Sequence, residues 1–286
     1  MTRIQSPSSI NTFNQCKRKY YYSYKVDLPR KESISTLTGK AVHEALENFY
    51  KINTSEITKE NYNTLLRQEL MNTFNNAWTK LLPELVKLEN DKETIRNYYQ
   101  DCFSMLNNFI TDFLSSLSKI INGKSFQESF EKLKPQTEVY FCSEKHNVRG
   151  YVDAILNYNN EVHIIDYKTS SRDDLTEEYE LQLAIYALLF EEKNSKLPNK
   201  IGLHFLRHGT KKFVDLSPEL IEKAKTQCEL IKINTESNDL KDYDKNPGPW
   251  CKWRTGECSF YELCFGQKKL QDYDESNLIQ INKEQH

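Results

Sequence analysis

Two aspartates and a lysine sit in neighbouring β-prone runs. Gly150-Tyr151-Val152-Asp153 belongs to an alternating stretch from Val148 to Tyr158, and Asp166-Tyr167-Lys168 to a second from Glu161 to Thr169. Only Asn159-Asn160 separates the two, so the segment reads as a β-hairpin. A turn centred on that pair makes partners of residues whose numbers total 319, as those of Asp153 and Asp166 do. Facing residues on such a pair have Cβ atoms roughly 4.5–5.5 Å apart. Carboxylates that close repel unless a cation lies between them, and an oxygen-rich set suits Mg²⁺ or Mn²⁺. Lys168, two residues past Asp166, projects from the same face. There its ammonium could orient a water or offset charge on a phosphate. A one-residue slip or a bulge would break the facing pair, and scattered charge on a surface hairpin is the plain alternative.

Other polar pairs occur at helical spacing. Gly39 to Glu47 leads into a helix expected through Tyr50, and His43 and Glu47, four apart, share a face. Gln182 and Tyr186, also four apart, interrupt the apolar stretch Leu181 to Phe190. Polar groups on a mostly buried helix need partners, which could be DNA, the acidic strands or each other.

The chain has seven cysteines. Cys251, Cys258 and Cys264 crowd near the C-terminus, and Cys16 stands alone near the N-terminus in Ser8-Ser9-Ile10-Asn11-Thr12-Phe13-Asn14-Gln15-Cys16-Lys17-Arg18-Lys19-Tyr20. Four thiolates can hold Zn²⁺ or an iron–sulfur cluster, and chemistry alone does not choose. Cys102, Cys142 and Cys228 fall in helix- or strand-like stretches and read as buried small residues. An odd count and a polar start, Met1 to Ser9, point to a reduced, intracellular protein, cytoplasmic or acting inside a host cell.

Gly39…His43, Gly150…Asp153, Asp166-Tyr167-Lys168 and Gln182…Tyr186 occur in the order seen in RecB-type nucleases of the PD-(D/E)xK superfamily, and the resemblance spans roughly residues 6–265. It implies an α/β fold: a restriction-endonuclease-like mixed sheet core flanked by helices, with a helical insertion and termini joined at a four-cysteine cluster. It makes His43, Asp153, Asp166 and the peptide carbonyl of Tyr167 metal ligands, and Lys168 the catalytic lysine beside Asp166 and Asp153. Gln182 and Tyr186 become the accessory motif that touches DNA, and Glu47 a supporting candidate. The thiols look like those of the iron–sulfur subgroup, the AddB-like and CRISPR-adaptation exonucleases. That pattern implies a [4Fe–4S] cluster on Cys16, Cys251, Cys258 and Cys264, after the lead Asn246-Pro247-Gly248-Pro249-Trp250. The sequence departs from it at Arg254, which stands where a cysteine is usual, so that Arg254 to Glu257 look inserted and structural Zn²⁺ stays open.

A chain of 286 residues with net charge −2 can bury one large core, and its overall charge predicts nothing about nucleic acid. Distribution says more. Lys17, Arg18, Lys19, Lys25, Arg30, Lys31 and Lys40 are interleaved with Tyr20, Tyr21, Tyr22 and Tyr24, cations for phosphates and rings for bases. No apolar run reaches bilayer length. Residues 1–40 read as a cluster-binding segment and basic linker, 41–130 as a helical region, 131–235 as the nuclease core, and 236–286 as the cysteine segment and a polar tail. Helices are expected over Tyr62 to Leu88, broken at Pro83, and over Asp91 to Ile121, Thr176 to Lys193 and Ser217 to Thr235; strands over Thr137 to Cys142, Ile201 to Arg207 and Lys211 to Leu216. Gly123-Lys124-Ser125 imitates the end of a phosphate-binding loop, but Ser118 stands where that motif needs glycine. No ATP motor is therefore expected, and any helicase or recombination protein would be a separate partner. The expected activity is metal-dependent DNA exonuclease, on single strands or free ends, in recombination, repair or end processing. The alternatives are a DNA-binding or assembly module with a silent nuclease fold, and a metalloprotein that is no nuclease. A lysine- and asparagine-rich composition points to an A·T-rich genome, viral or bacterial.

Overall fold

Serine caps start much of this fold. The Ser6 hydroxyl accepts from the Ser9 N–H and the Ser9 hydroxyl from the Ser6 N–H, and with Pro7 at the first helical position this opens α1 (Pro7–Gln15). The computed structural model describes residues 3–270 apart from 90, 159, 255 and 267. Asn159 of the expected turn, Thr255 and the polar tail past 270 therefore lie outside the described residues. The chain divides into two units, one of Met1–Glu32, Glu144–Arg149 and Lys225–His286, the other of Ser33–Ser143 and Gly150–Ala224.

In the first unit α1 is followed by α2 (Lys17–Tyr20) and a π-helical turn, Tyr21–Lys25. Of the tyrosines expected to serve bases, Tyr20 and Tyr22 are instead buried. Tyr20 packs edge-on against Phe13 at 5.3 Å, and Tyr22 against Phe260 at 5.3 Å. Burying a ring of this size contributes about 2 kcal/mol, which outweighs keeping it in water for a ligand. Tyr24 lies between two guanidiniums, Arg3 at 4.8 Å and Arg30 at 5.4 Å.

The second unit begins at Ser33, whose hydroxyl accepts from the Thr36 N–H and starts α3 (Ile34–Phe49), five residues before Gly39. Then come α4 (Tyr62–Leu88), α5 (Lys92–Ile120) capped by Asp91, and α6 (Phe126–Leu133). α4 runs on through Pro83, where a break was expected. Pro83 and Thr79 are exposed, so the carbonyl deprived of its donor faces water. α6 was not foreseen; a Ser125–Glu128 capping box opens it. Ser125 of Gly123-Lys124-Ser125 is thus a helix cap.

The sheet has order β1-β2-β3-β4-β5, from β1 (Gln136–Ser143), β2 (Val148–Tyr158), β3 (Glu161–Lys168), β4 (Lys200–Phe205) and β5 (Thr210–Val214). β2 runs antiparallel to β3, β3 parallel to β4 and β4 antiparallel to β5. α7 (Glu177–Asn194) makes the β3–β4 crossover that parallel strands require. Its residues Leu183 to Phe190 are all buried, so it is apolar all round. α8 (Pro218–Asn234) follows β5. On the helical side, Phe49 of α3 meets Phe113 and Phe109 of α5 at 5.4 and 5.8 Å. Ile165 and Tyr167 of β3 join the same core. The result is a mixed α/β core of five strands flanked by helices. Among the described residues, no helix is long and apolar enough to cross a membrane.

Candidate metal centre

The β2–β3 register is the one the 319 rule requires, through Ala154–Ile165, Ile155–Ile164 and Leu156–His163. The paired ladder stops there, so Asp153 and Asp166, expected to face each other at the next step, are not ladder partners. There a side chain enters between the strands: the Tyr167 N–H donates to Asp153 Oδ2 at 2.7 Å. α3 docks against the end of β3 at Gly39, where an added Cβ would lie 3.2 Å from Thr169 Oγ1. A side chain there would have to push Thr169 aside by a few tenths of an ångström. One turn later, His43 Nδ1 is 3.5 Å from Asp153 Oδ2.

His43, Glu138 and Asp153 present ligand atoms all within 4.8 Å of one another, the only such group among the described residues. Glu138 was missed from the sequence. It adopts φ +50° in β1, a left-handed conformation costing about 1 kcal/mol for a residue with a Cβ. The available signal was a lone carboxylate inside a strand-like run, a residue type depleted in strands.

Asp166 is almost fully buried, 2 % exposed. Its Oδ1 accepts from Gln182 Nε2 at 3.0 Å. Its Oδ2 is 2.7 Å from Lys168 Nζ, but the angle makes this an ion pair and not a hydrogen bond, so Oδ2 has no hydrogen-bond donor. Lys168 also donates to Gln182 Oε1 at 2.9 Å and lies over the Tyr179 ring at 4.7 Å. Gln182 Nε2 donates as well to the Tyr186 hydroxyl at 3.0 Å. Gln182 and Tyr186 thus reach the acidic strands and each other, two of the partners open to them. Glu47 pairs with Lys51 and lies close enough to Glu138 to act on its carboxyl. The Tyr167 ring faces the helical core, 5.9 Å from Phe109.

The electrostatics are those of a cation site. Burial, then the neighbouring Asp166, push the Asp153 carboxyl well above its usual range against the Tyr167 N–H. Burial, then Glu47 and Asp166, raise Glu138. Burial lowers His43, with Asp166 opposing, which leaves a neutral imidazole with a lone pair. The crowded carboxyls of Glu138 and Asp153 and a neutral imidazole fit a divalent cation, which would relieve the repulsion.

In the other unit, Cys16, Cys251, Cys258 and Cys264 line one cavity with Trp250 and Phe260. The segment that looked inserted supplies β7 (Gly256–Glu257), which pairs with the preceding β6 (Lys252–Trp253) in a small ribbon. It returns the chain so that the Cys258 N–H donates to the Cys251 carbonyl at 2.9 Å. Burial raises the Cys264 thiol, and Cys16 and Cys258 nearby act the same way. Cys102 and Cys228 are buried, their thiols pushed up to about 12. Cys142 is exposed, contrary to its reading as a buried residue; Phe141 and Ser143 on either side take the inward positions of β1.

The family model of the PD-(D/E)XK nuclease superfamily matches residues 5–265. No curated protein matches the chain closely enough to count as a relative. Among solved structures, a protein from Eubacterium rectale titled "Putative exonuclease" is similar, with 11% identity and a TM-score of 0.49, over 93% of this chain and 94% of its own.

Proposed function

This chain belongs to the PD-(D/E)XK nuclease superfamily, and we propose that it is a divalent-metal-dependent deoxyribonuclease acting as an exonuclease in DNA recombination, repair or end processing. The observation that carries the reading is the grouping of His43, Glu138 and Asp153 within 4.8 Å, one strand from the Asp166–Lys168 ion pair. His43, Asp153, Asp166 and the peptide carbonyl of Tyr167 would hold Mg²⁺ or Mn²⁺, joined by Glu138. A bound cation of this kind polarises a phosphodiester and lowers the pKa of the attacking water.

The chain's own groups do the rest. Lys168, gripped by Gln182 Oε1 and Asp166 Oδ2, keeps its ammonium where negative charge grows on the phosphate. Gln182 fixes both partners of that pair at once. Lys168 can only donate and the Asp166 carboxylate only accept, so they fix the Gln182 amide, whose other hydrogen goes to the Tyr186 hydroxyl. Neutral His43 donates a lone pair without first losing a proton.

Cys16, Cys251, Cys258 and Cys264 would carry a structural [4Fe–4S] cluster. Four thiolates could equally hold structural Zn²⁺, so metal content decides between the two. Anaerobically purified protein should then contain iron and acid-labile sulfide; zinc with neither would replace the cluster by a Zn²⁺ site. A thiolate cluster suits a reducing, cytoplasmic setting, and any helicase acts as a separate protein.

The activity is tested by incubating end-labelled single- and double-stranded DNA with the chain and Mg²⁺ or Mn²⁺, with and without chelator, beside Asp166→Ala. Metal-dependent release of label that Asp166→Ala abolishes is expected. Full activity in the variant would remove the assigned site.

A further inference from the structure

Tyr140 on β1 and Tyr151 on β2 expose 42% and 57% of their surface. Their ring centroids are 5.0 Å apart with planes inclined at 46°. Phe49, Phe109 and Phe113, which also touch one another in this unit, are buried. Leaving two adjoining rings in water forgoes burial worth about 2 kcal/mol each, so their position calls for an explanation. Both are two residues from a member of the cation site, Tyr140 from Glu138 and Tyr151 from Asp153. Two strand residues span about 6.6 Å, and one intervening residue puts Tyr151 on the Asp153 side of β2. The ring contact brings Tyr140 to it. A base stands off its own phosphate by one sugar, a comparable distance.

We propose that Tyr140 and Tyr151 form a stacking platform for an unpaired base of the strand that enters the site. The proposal rests on the nuclease reading and adds to it a substrate class. A paired base has both faces covered by its neighbours; only a single strand or a frayed end offers a free face. Base–aromatic stacking is indifferent to sequence because every base has a π-face. The site therefore takes single-stranded DNA without base preference, and these two tyrosines are positioning residues that never touch the reacting atoms.

The test uses the full chain in chelator, where nothing is cleaved, with fluorescein-labelled oligothymidylate and a blunt duplex as probes. The pair Tyr140→Ala/Tyr151→Ala should weaken oligothymidylate binding about tenfold or more, and duplex binding by less than about twofold. Tyr140→Phe/Tyr151→Phe should bind like the parent, because stacking needs the ring and not the hydroxyl. A series of oligothymidylates with one abasic position each should show a single sensitive position, absent in the alanine pair. Because both rings are exposed, the alanine pair should melt with the parent, which separates lost stacking from lost folding. An oligothymidylate affinity within about twofold of the parent, or an equal loss on duplex, overturns the platform. Cleavage by the parent without any ring dependence of binding sinks the platform alone, whereas ring-dependent binding with no metal-dependent cleavage sinks the nuclease reading.

Discussion

Gln182 on α7 holds Asp166 on β3: its Nε2 donates to Asp166 Oδ1 at 3.0 Å while its Oε1 accepts from Lys168 at 2.9 Å. One amide thus sets the spacing of an anion and a cation two residues apart on a strand. Such supporting contacts cost about 10–100-fold in activity when removed. Gln182→Leu is expected to lower the single-turnover rate by that factor while circular dichroism stays unchanged. Gln182→Glu, which keeps one acceptor but adds charge against Asp166, is expected to lose as much. A rate within about twofold of the parent in both variants would show that Lys168 is placed by something else.

Asp153 gives a prediction with a definite sign. Its carboxyl is raised in the folded chain by burial and by Asp166, so the native state binds the proton more tightly than the unfolded one. Stability from this group is full below the unfolded pKa of 3.8, falls as pH rises toward the raised value, and stays lost above it. Metal-free Asp153→Asn should therefore melt above the metal-free parent at pH 8, by about 2–4 °C for each kcal/mol of repulsion relieved. The gap should close near pH 4. Mn²⁺ should raise the melting temperature of the parent and not of the variant. A variant that melts below the parent at pH 8 would contradict the crowding of carboxylates.

Much of this centre is legible in the sequence and some is not. The β2–β3 register follows from two β-rich runs with two polar residues between them, which leaves little freedom in the turn. His43 and Gln182 follow from four-residue spacing on helices, whereas the approach of Thr169 to Gly39 shows only in the fold. Glu138 does not follow, because its left-handed φ in a strand is imposed by the surroundings and not by its residue type. Pro83 misleads because an exposed helix face can hydrate the carbonyl that proline strips of its donor. Tyr20 and Tyr22 mislead because composition cannot tell a ring kept for a ligand from one kept for the core.

His204 on β4 provides an acid-side test. It is 2 % exposed, its Nε2 has no hydrogen-bond partner, and burial lowers its pKa to about 4. Its folded pKa lies below the unfolded 6.5, so its contribution is full above 6.5 and is lost as pH falls toward 4. The whole loss amounts to about 3 kcal/mol at one pKa unit per 1.4 kcal/mol. His204→Leu should flatten the fall in melting temperature between pH 7 and 4.5. An unchanged slope would mean that His204 does not resist protonation.

The proposed cluster separates the cysteines by role. Cys264→Ser is expected to lose iron and acid-labile sulfide and to lower the melting temperature of anaerobic protein. Cys142→Ser, at an exposed position, is expected to change neither. Equal iron content in both variants would take Cys264 out of the cluster.

The most direct measurement of the central claim is the single-turnover rate of Lys168→Met on end-labelled single-stranded DNA at saturating Mn²⁺. Methionine keeps the stem of the side chain and removes the ammonium beside Asp166 Oδ2. The rate should fall about 10²–10³-fold, the cost of removing one stabilising donor from a developing charge, with DNA affinity in chelator unchanged. A rate equal to that of the parent would contradict it.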